Sequence, residues 1–352
     1  MGKALFNPEM LILARESRGY TQTDLARATG YAQSHVSRYE NGTLPLTEEN
    51  VAKMASALNY PVAFFGQGDT VYGLGSSFLL HRKRQSVPAT RLRRLQAEIN
   101  VARIRIERLL RGLQYQHDYE FVTYEVDEHG TPEEIAQMVR FAWQMPDGPI
   151  RNLTRTVEST GAIVLLYPFG NKKIDGLNLW VTPTPPLFFL NDRAPGDRSR
   201  WTLAHEIGHA VMHRHARPEI EDEADRFASE FLMPEADVRS SLVNLTIAKA
   251  ASLKLTWRVS MQALVRRAKD LDVISHGRYK SLCVQIGASG MRTNEPNEIE
   301  PERPANFEAI VAAHQSQHGY GLTEIAHIAL AEPDDFVRLM SSAPSTLRIA
   351  PS

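Results

Sequence analysis

The stretch "RWTLAHEIGHAVMH", residues 200–213, carries three histidines and one glutamate in a pattern typical of a helix. On a helix, His205 and His209 share a face and lie roughly 6 Å apart along the axis. That spacing lets both imidazoles reach one Zn²⁺ ion, and Glu206 beside them is placed to polarise a bound water. His213 lies about 12 Å along the axis from His205, too far to share the ion, so we expect it at the surface or behind the ligands. The third ligand must therefore come from elsewhere.

The next segment, "EIEDEADRFASEFLMP" at 219–234, predicts a second helix with an apolar stripe that faces the core. Two carboxylates, Glu221 and Glu223, flank this stripe and are the candidates for the third ligand. Glu221 lies nearer the stripe, and Asp225 follows it by one turn. This spacing suits a zinc ligand followed by a carboxylate that orients a ligand histidine. We favour Glu221, and Glu223 is the alternative.

The region before the histidine stretch predicts strands. Short apolar or alternating runs bounded by Gly, Pro or Asp occur at 119–126, 161–169, 175–183 and 186–192. Between the first two runs, Thr131 and Pro132 followed by two glutamates have the cap, proline and acidic first turn of a helix. Strands and helices in this order predict an α+β domain.

The front of the chain predicts an all-α domain instead. Capping residues and glycine stops divide residues 8–65 into short helices. In "TQTDLARATGYAQSHVSRYENG", residues 21–42, two of these helices are joined by a tight turn after Gly30, which is the signature of a helix-turn-helix. The predicted domains are 1–66 (helix-turn-helix), 67–114 (linker and basic amphipathic helix), 115–270 (α+β) and 271–352 (connector and small helices).

Charge is distributed unevenly along the 352 residues. Residues 1–114 contain 16 Lys and Arg against 9 Asp and Glu (net +7), whereas the remainder contains 24 against 32 (net −8). A basic front part suggests that only this part meets a polyanion. The arginines within 81–111 fall on a predicted long amphipathic helix. This helix either contacts phosphates or a second protomer, or it presents a solvated basic face.

The composition is that of an ordinary globular protein, with 43% hydrophobic and 23% charged residues. No apolar run approaches the roughly 20 residues of a membrane span, and the N-terminus has no signal-peptide core. The single cysteine, Cys283, excludes an intramolecular disulfide and any metal site built on several cysteines. We therefore expect a cytoplasmic protein without a membrane partner.

Residues 7–65 resemble the phage-repressor-like (XRE/Cro type) helix-turn-helix family, since the Thr-Gln opening, the Leu-Ala pair, the Val-Ser step and the Glu-Asn-Gly all fall in register. The resemblance implies binding to a double-stranded DNA operator, with the third helix in the major groove. Gln22 would anchor the domain to the DNA backbone. The residues expected to face the groove are Gln33, Ser34, His35 and Arg38. Glutamine can read adenine, and arginine can read guanine or contact phosphate.

Residues 115–270 resemble the ImmA/IrrE zinc peptidase family, on "NDRAPGDRSRWTLAHEIGHAVMH" followed by "EDEADRFASEFLMP". The resemblance implies a zincin-like α+β metallopeptidase domain in which zinc is the cofactor. It implies His205, His209 and Glu221 as metal ligands and Glu206 as the catalytic base. Asp225 stands where the family more often has Asn, which leaves metal binding intact.

These features predict a multidomain DNA-binding regulator that carries a zinc-dependent endopeptidase domain. It would cleave a partner repressor, or couple a sensed signal to release from DNA, and it would act as a homodimer. The alternative is a non-proteolytic repressor or antitoxin-like protein whose peptidase fold binds a partner, such as a toxin, or a small ligand.

Overall fold

The computed structural model describes residues 6–73, 88–170, 174–214 and 218–341. These residues form two compact units. The first unit combines residues 6–73 and 88–115 with residues 307–341, and the second comprises the described residues of 116–306. Residues 74–87 of the predicted segment 67–114, which include Arg82, Lys83 and Arg84, lie outside the described residues, as do His215 and the tail from residue 342.

The first unit begins with four short helices. They are α1 (Pro8–Ser17), α2 (Gln22–Thr29), α3 (Gln33–Glu40) and α4 (Glu48–Leu58), followed by a 3₁₀ turn at Val62–Gly66. A capping box starts α2, because the Thr21 hydroxyl accepts from the Asp24 N–H while the Asp24 carboxylate accepts from the Thr21 N–H. Gly30 ends α2 at a φ of 70°, a left-handed conformation that suits glycine and turns the chain sharply into α3.

A long helix and the C-terminal segments complete the first unit. They are α5 (Ala89–Leu110), the part of α15 (Asn306–His318) from Phe307 onward, α16 (Leu322–Ile328) and α17 (Pro333–Ser341). Apolar residues of α5 and Leu330 share one core with α1–α4. The Arg108 guanidinium donates to the Ile328 carbonyl at 2.8 Å, which ties α5 to the end of α16.

The buried arginines of α5 differ from the basic surface expected of this helix. Arg103 and Arg105 are buried. The Arg103 guanidinium donates to Glu107 at 2.6 Å and stacks over the Tyr72 ring, and Arg105 lies 3.8 Å from the Asp335 carboxylate. These two side chains are therefore part of neither a solvated face nor a phosphate-binding one.

The second unit is an α+β domain. Its helices are α6 (Val126–His129), α7 (Pro132–Ala142), α8 (Leu153–Glu158), α9 (Gly196–Met212), α10 (Ile220–Leu232), α11 (Glu235–Leu242), α12 (Ile247–Trp257), α13 (Met261–Asp270) and α14 (His276–Ala288). Its strands are β1 (Ile163–Tyr167), β2 (Gly176–Leu179) and β3 (Leu187–Asn191). Within the described residues they form one sheet in the order β1-β3-β2, with β1 parallel and β2 antiparallel to β3. The predicted fold class, an all-α helix-turn-helix domain followed by an α+β domain and a mostly helical remainder, is confirmed.

The strand predicted at 119–126 is wrong. This segment is extended but irregular, and the Tyr124 N–H donates to the Val211 carbonyl of α9 at 3.0 Å instead of to a neighbouring strand. The Phe121 ring packs against Trp143, Trp180 and Phe188. One-sided packing against a helix and an aromatic cluster produces the same alternation of apolar and polar residues as a sheet does.

The segment before α15, which belongs to the predicted connector and small-helix region 271–352, crosses the start of α9. We call this segment, residues 295–306, the strap. The Glu295 carboxylate accepts from Lys254 Nζ at 2.8 Å, and the Gly196 N–H donates to the Ile299 carbonyl at 3.2 Å. Glu302 forms a buried ion pair with Arg200 of α9. The strap thus holds the N-terminal half of α9 in place.

No helix among the described residues is both long and apolar enough to cross a membrane.

Candidate functional site

The histidine stretch forms the C-terminal half of α9, which packs closely on α10. Gly208 permits this close approach, because a Cβ atom at this position would lie 3.0 Å from Cδ1 of Phe227 on α10. The amphipathic pattern of α10 buries Phe227 and Phe231 and turns the acidic first turn of the helix toward α9. The two helices therefore place their polar residues side by side above a shared apolar contact.

Three side chains from the two helices converge on one point. His205 Nε2 lies 3.0 Å from His209 Nε2, and the Glu221 carboxylate oxygens lie 3.7 Å from His205 Nε2 and 3.5 Å from His209 Nε2. Among the described residues, His205, His209 and Glu221 form a group whose potential ligand atoms all lie within 4.8 Å of one another, and we refer to it as the ligand group. The structure thus brings together the three residues named as ligands in the sequence.

The spacing and chemistry of this group fit zinc. Ligands bonded to zinc at about 2.0–2.2 Å in a tetrahedron are about 3.3–3.6 Å apart. The three observed separations, 3.0, 3.5 and 3.7 Å, span this range with small deviations. Two imidazoles and one carboxylate are also the donor set of a catalytic rather than a structural zinc site.

Asp225 lies behind His205. Its carboxylate is 2.8 Å from His205 Nδ1, so the ring nitrogen that faces away from the ligand group is held by a carboxylate. Burial lowers the pKa of the His205 imidazole, but hydrogen bonds to Asp225 and Glu221 outweigh it and raise that pKa to about 10. The two neighbouring carboxylates thus favour the charged form of this imidazole.

His213 lies behind His209. It is buried, its Nδ1 is 2.9 Å from His209 Nδ1, and its Nε2 is 3.0 Å from the Glu223 carboxylate. Glu223, the alternative third ligand, therefore contacts His213 rather than the ligand group. Of the two positions expected for His213, the surface and the space behind the ligands, the structure has the second.

Glu206 is buried on the neighbouring face of α9 and is held by the sheet. The side-chain amide of Asn178 on β2 donates to Glu206 Oε2 at 2.7 Å. Sequence reasoning did not find Asn178, because 28 residues separate it from Glu206 and no local spacing points to it. A buried carboxylate that is fixed by a neutral donor can act as a general base.

In the first unit, α3 presents a polar surface. Gln33, Ser34, His35 and Arg38 are exposed on this helix, while Val36 is buried against the core. The four residues predicted to face the groove thus share solvent access on the helix.

Gln22 takes part in a hydrogen-bonded chain that connects α1, α2 and α3. Its amide donates to Glu40 Oε2 at 2.8 Å, and its carbonyl accepts from the Gln33 amide at 2.7 Å. Glu40 in turn forms a buried ion pair with Arg15 on α1, with N–O distances of 2.5 and 3.1 Å. This chain fixes the orientation of α3 on the domain and leaves Gln22 half exposed at its edge.

Comparison with known families gives one match in each of the two units. Residues 11–65 match the family model described as helix-turn-helix, and residues 157–269 match the Peptidase_M78 model, described as an IrrE N-terminal-like domain. No curated protein matches the sequence at a significant level. The first match covers most of α1 and all of α2–α4, and the second includes the sheet, α9 and α10. The predicted fusion of an XRE-type helix-turn-helix with an ImmA/IrrE-type metallopeptidase domain is confirmed.

Proposed function

We propose that this DNA-binding regulator is a zinc-dependent endopeptidase that cleaves a partner protein, such as a repressor, and thereby changes transcription. The observation that supports it most is the convergence of His205, His209 and Glu221 beside a buried Glu206. A helix-turn-helix domain in the same chain brings this chemistry to a promoter, where the partner repressors of a regulator are bound.

In this proposal the two histidines and Glu221 hold zinc. When bound, zinc polarises a peptide carbonyl and lowers the pKa of an attacking water. The Glu206 carboxylate accepts a proton from that water and passes it to the leaving amine. The Asn178 amide donates to Glu206 Oε2 at 2.7 Å and so holds this carboxylate in place. Asp225 contacts His205 Nδ1 at 2.8 Å, so that Nε2 of this ring faces His209 and Glu221.

On the DNA side, α3 enters the major groove. Gln33 can donate to and accept from adenine, and Arg38 can pair with guanine or with phosphate. A single recognition helix covers one half-site, so we expect two protomers to bind a two-fold symmetric operator.

The decisive experiment compares the wild-type protein with Glu206→Gln. Each protein is co-expressed with the repressors encoded beside its gene, and their cleavage is followed by mass spectrometry, while zinc content is measured on the purified proteins. We expect both proteins to hold zinc and only the wild type to cleave, because glutamine cannot accept the proton.

Two results would count against this function. A wild-type protein without zinc removes the catalytic site. Wild-type zinc together with unchanged regulation in Glu206→Gln means that the domain acts by binding a partner or ligand without proteolysis.

A further inference from the structure

A chain of hydrogen bonds extends from the ligand group into the interior of the second unit. It passes from His209 Nδ1 to His213 Nδ1 over 2.9 Å, and from His213 Nε2 to the Glu223 carboxylate over 3.0 Å. All three side chains are buried, with exposures of 2% for His209 and 9% for both His213 and Glu223. Such a chain behind a ligand needs a reason, since a buried histidine pair costs solvation that an apolar pair would not.

The Glu223 carboxylate determines which atom donates in each of these hydrogen bonds. An ionised carboxylate only accepts hydrogen bonds, so His213 Nε2–H donates to Glu223. In a neutral imidazole the other nitrogen is then an acceptor, and His213 Nδ1 accepts from His209 Nδ1–H. His209 is left with its lone pair on Nε2, the atom that lies 3.0 Å from His205 Nε2.

We propose, on the basis of the zinc site proposed above, that His213 and Glu223 are positioning residues that fix the tautomer and ring orientation of the ligand His209. The Asp225 carboxylate contacts His205 Nδ1 directly, whereas the Glu223 carboxylate is connected to His209 Nδ1 through His213. Both ligand histidines thus have Nδ1 connected to a carboxylate and Nε2 presented to the metal. These contacts also give the two glutamates of α10 different partners. Glu221 faces the ligand histidines, and Glu223 faces His213.

The zinc affinity of the full-length protein tests this role without any substrate. Apparent dissociation constants are measured by competition with a chromophoric chelator for the wild type, His213→Leu, His213→Gln, Glu223→Leu and Glu223→Gln. We expect the two Leu variants to bind zinc about 10- to 100-fold more weakly, which is the usual effect of removing such an outer partner. The Gln variants keep a carbonyl acceptor and should recover most of this loss.

Controls separate positioning from folding and from direct ligation. Asp222→Asn removes one charge from the exposed position between the two glutamates and should leave affinity within about twofold of the wild type, since a single exposed charge contributes little. The visible spectrum of the Co²⁺-loaded protein should keep its four-coordinate intensity in Glu223→Leu, because the coordinating atoms are unchanged. Where His213→Leu does not fold, as judged by circular dichroism, the Glu223 variants carry the same comparison.

Several results would overturn the inference. One is folded Leu variants with wild-type zinc affinity, and another is Gln variants that bind no better than the Leu variants. A Co²⁺ spectrum in Glu223→Leu that indicates a lost ligand would make Glu223 a ligand instead. A wild type that binds no zinc is a different outcome, because it removes the proposed metal site itself.

Discussion

Gly196, at the start of α9, lies in close contact with the strap of residues 295–306. A Cβ atom placed on Gly196 would lie 2.3 Å from the Ile299 carbonyl oxygen and 2.6 Å from that of Glu300, whereas real Cβ contacts essentially never fall below 3.0 Å. Both obstacles are backbone atoms, so a side-chain rotation cannot relieve them. In Gly196→Ala the strap must therefore move away by at least 0.7 Å, the difference between 3.0 and 2.3 Å.

The cost of Gly196→Ala follows from two contributions. Forcing an extra carbon into a packed contact costs about 1–3 kcal/mol. Weakening the Gly196 N–H bond to Ile299, which is 3.2 Å long, costs about 1 kcal/mol more. We expect the second unit to lose about 2–4 kcal/mol of stability.

Hydrogen exchange measured by mass spectrometry on the full-length protein reports this loss locally, together with thermal unfolding. Peptides from the strap and from the first turns of α9 should exchange faster in Gly196→Ala. The matched control is Gly277→Ala on α14, where the nearest atom to a new Cβ is the Ser275 hydroxyl at 3.9 Å. This control should leave stability unchanged or raise it by up to about 1 kcal/mol, because alanine favours a helix. Equal exchange of the strap in both variants would refute the close contact at Gly196.

Three further predictions concern other parts of the chain. Glu40→Ala leaves the Arg15 cation buried without this partner and should destabilise the helix-turn-helix unit by about 3–5 kcal/mol, measured by chemical denaturation; a change below about 1 kcal/mol contradicts a buried ion pair. Asn178→Leu should leave zinc content unchanged but lower cleavage about 10- to 100-fold, because Glu206 loses a charge-assisted hydrogen bond; undiminished cleavage means that the bond has no role. Arg38→Ala should weaken binding to an operator fragment selected from random DNA by about 1–3 kcal/mol in fluorescence anisotropy, and unchanged affinity would show that this side chain does not read the DNA.

The parts of the fold and site that could be predicted from sequence are those encoded by local spacing. His205 and His209 are one helical turn apart, so helix geometry alone places them on one face. The capping signals at Thr21 and Thr131 both produce capping boxes in the structure, because a cap needs only residues within one turn. The resemblance to the ImmA/IrrE family then supported Glu221, which the spacing along the next helix had favoured over Glu223.

What could not be predicted depends on residues that are far apart in the sequence. Asn178 meets Glu206 only because β2 packs against α9. His213 meets Glu223 only because α10 folds back beside α9, the helix that carries the histidines. The buried position of Arg105 depends on Asp335 near the other end of the chain, so charge patterning along α5 alone suggested a surface helix. The false strand at 119–126 has the same origin, since an alternating pattern does not say whether a strand or a helix covers its apolar side.

The zinc content of Glu221→Ala tests the central claim most directly. Wild type, Glu221→Ala and Asp222→Asn are purified, equilibrated with zinc, dialysed against metal-free buffer and analysed by inductively coupled plasma mass spectrometry, with circular dichroism to check folding. The geometry of His205, His209 and Glu221 predicts about one zinc ion per chain in the wild type and in Asp222→Asn, and loss of the ion in folded Glu221→Ala. No zinc in the wild type, or full zinc in Glu221→Ala, would contradict the proposed metal centre.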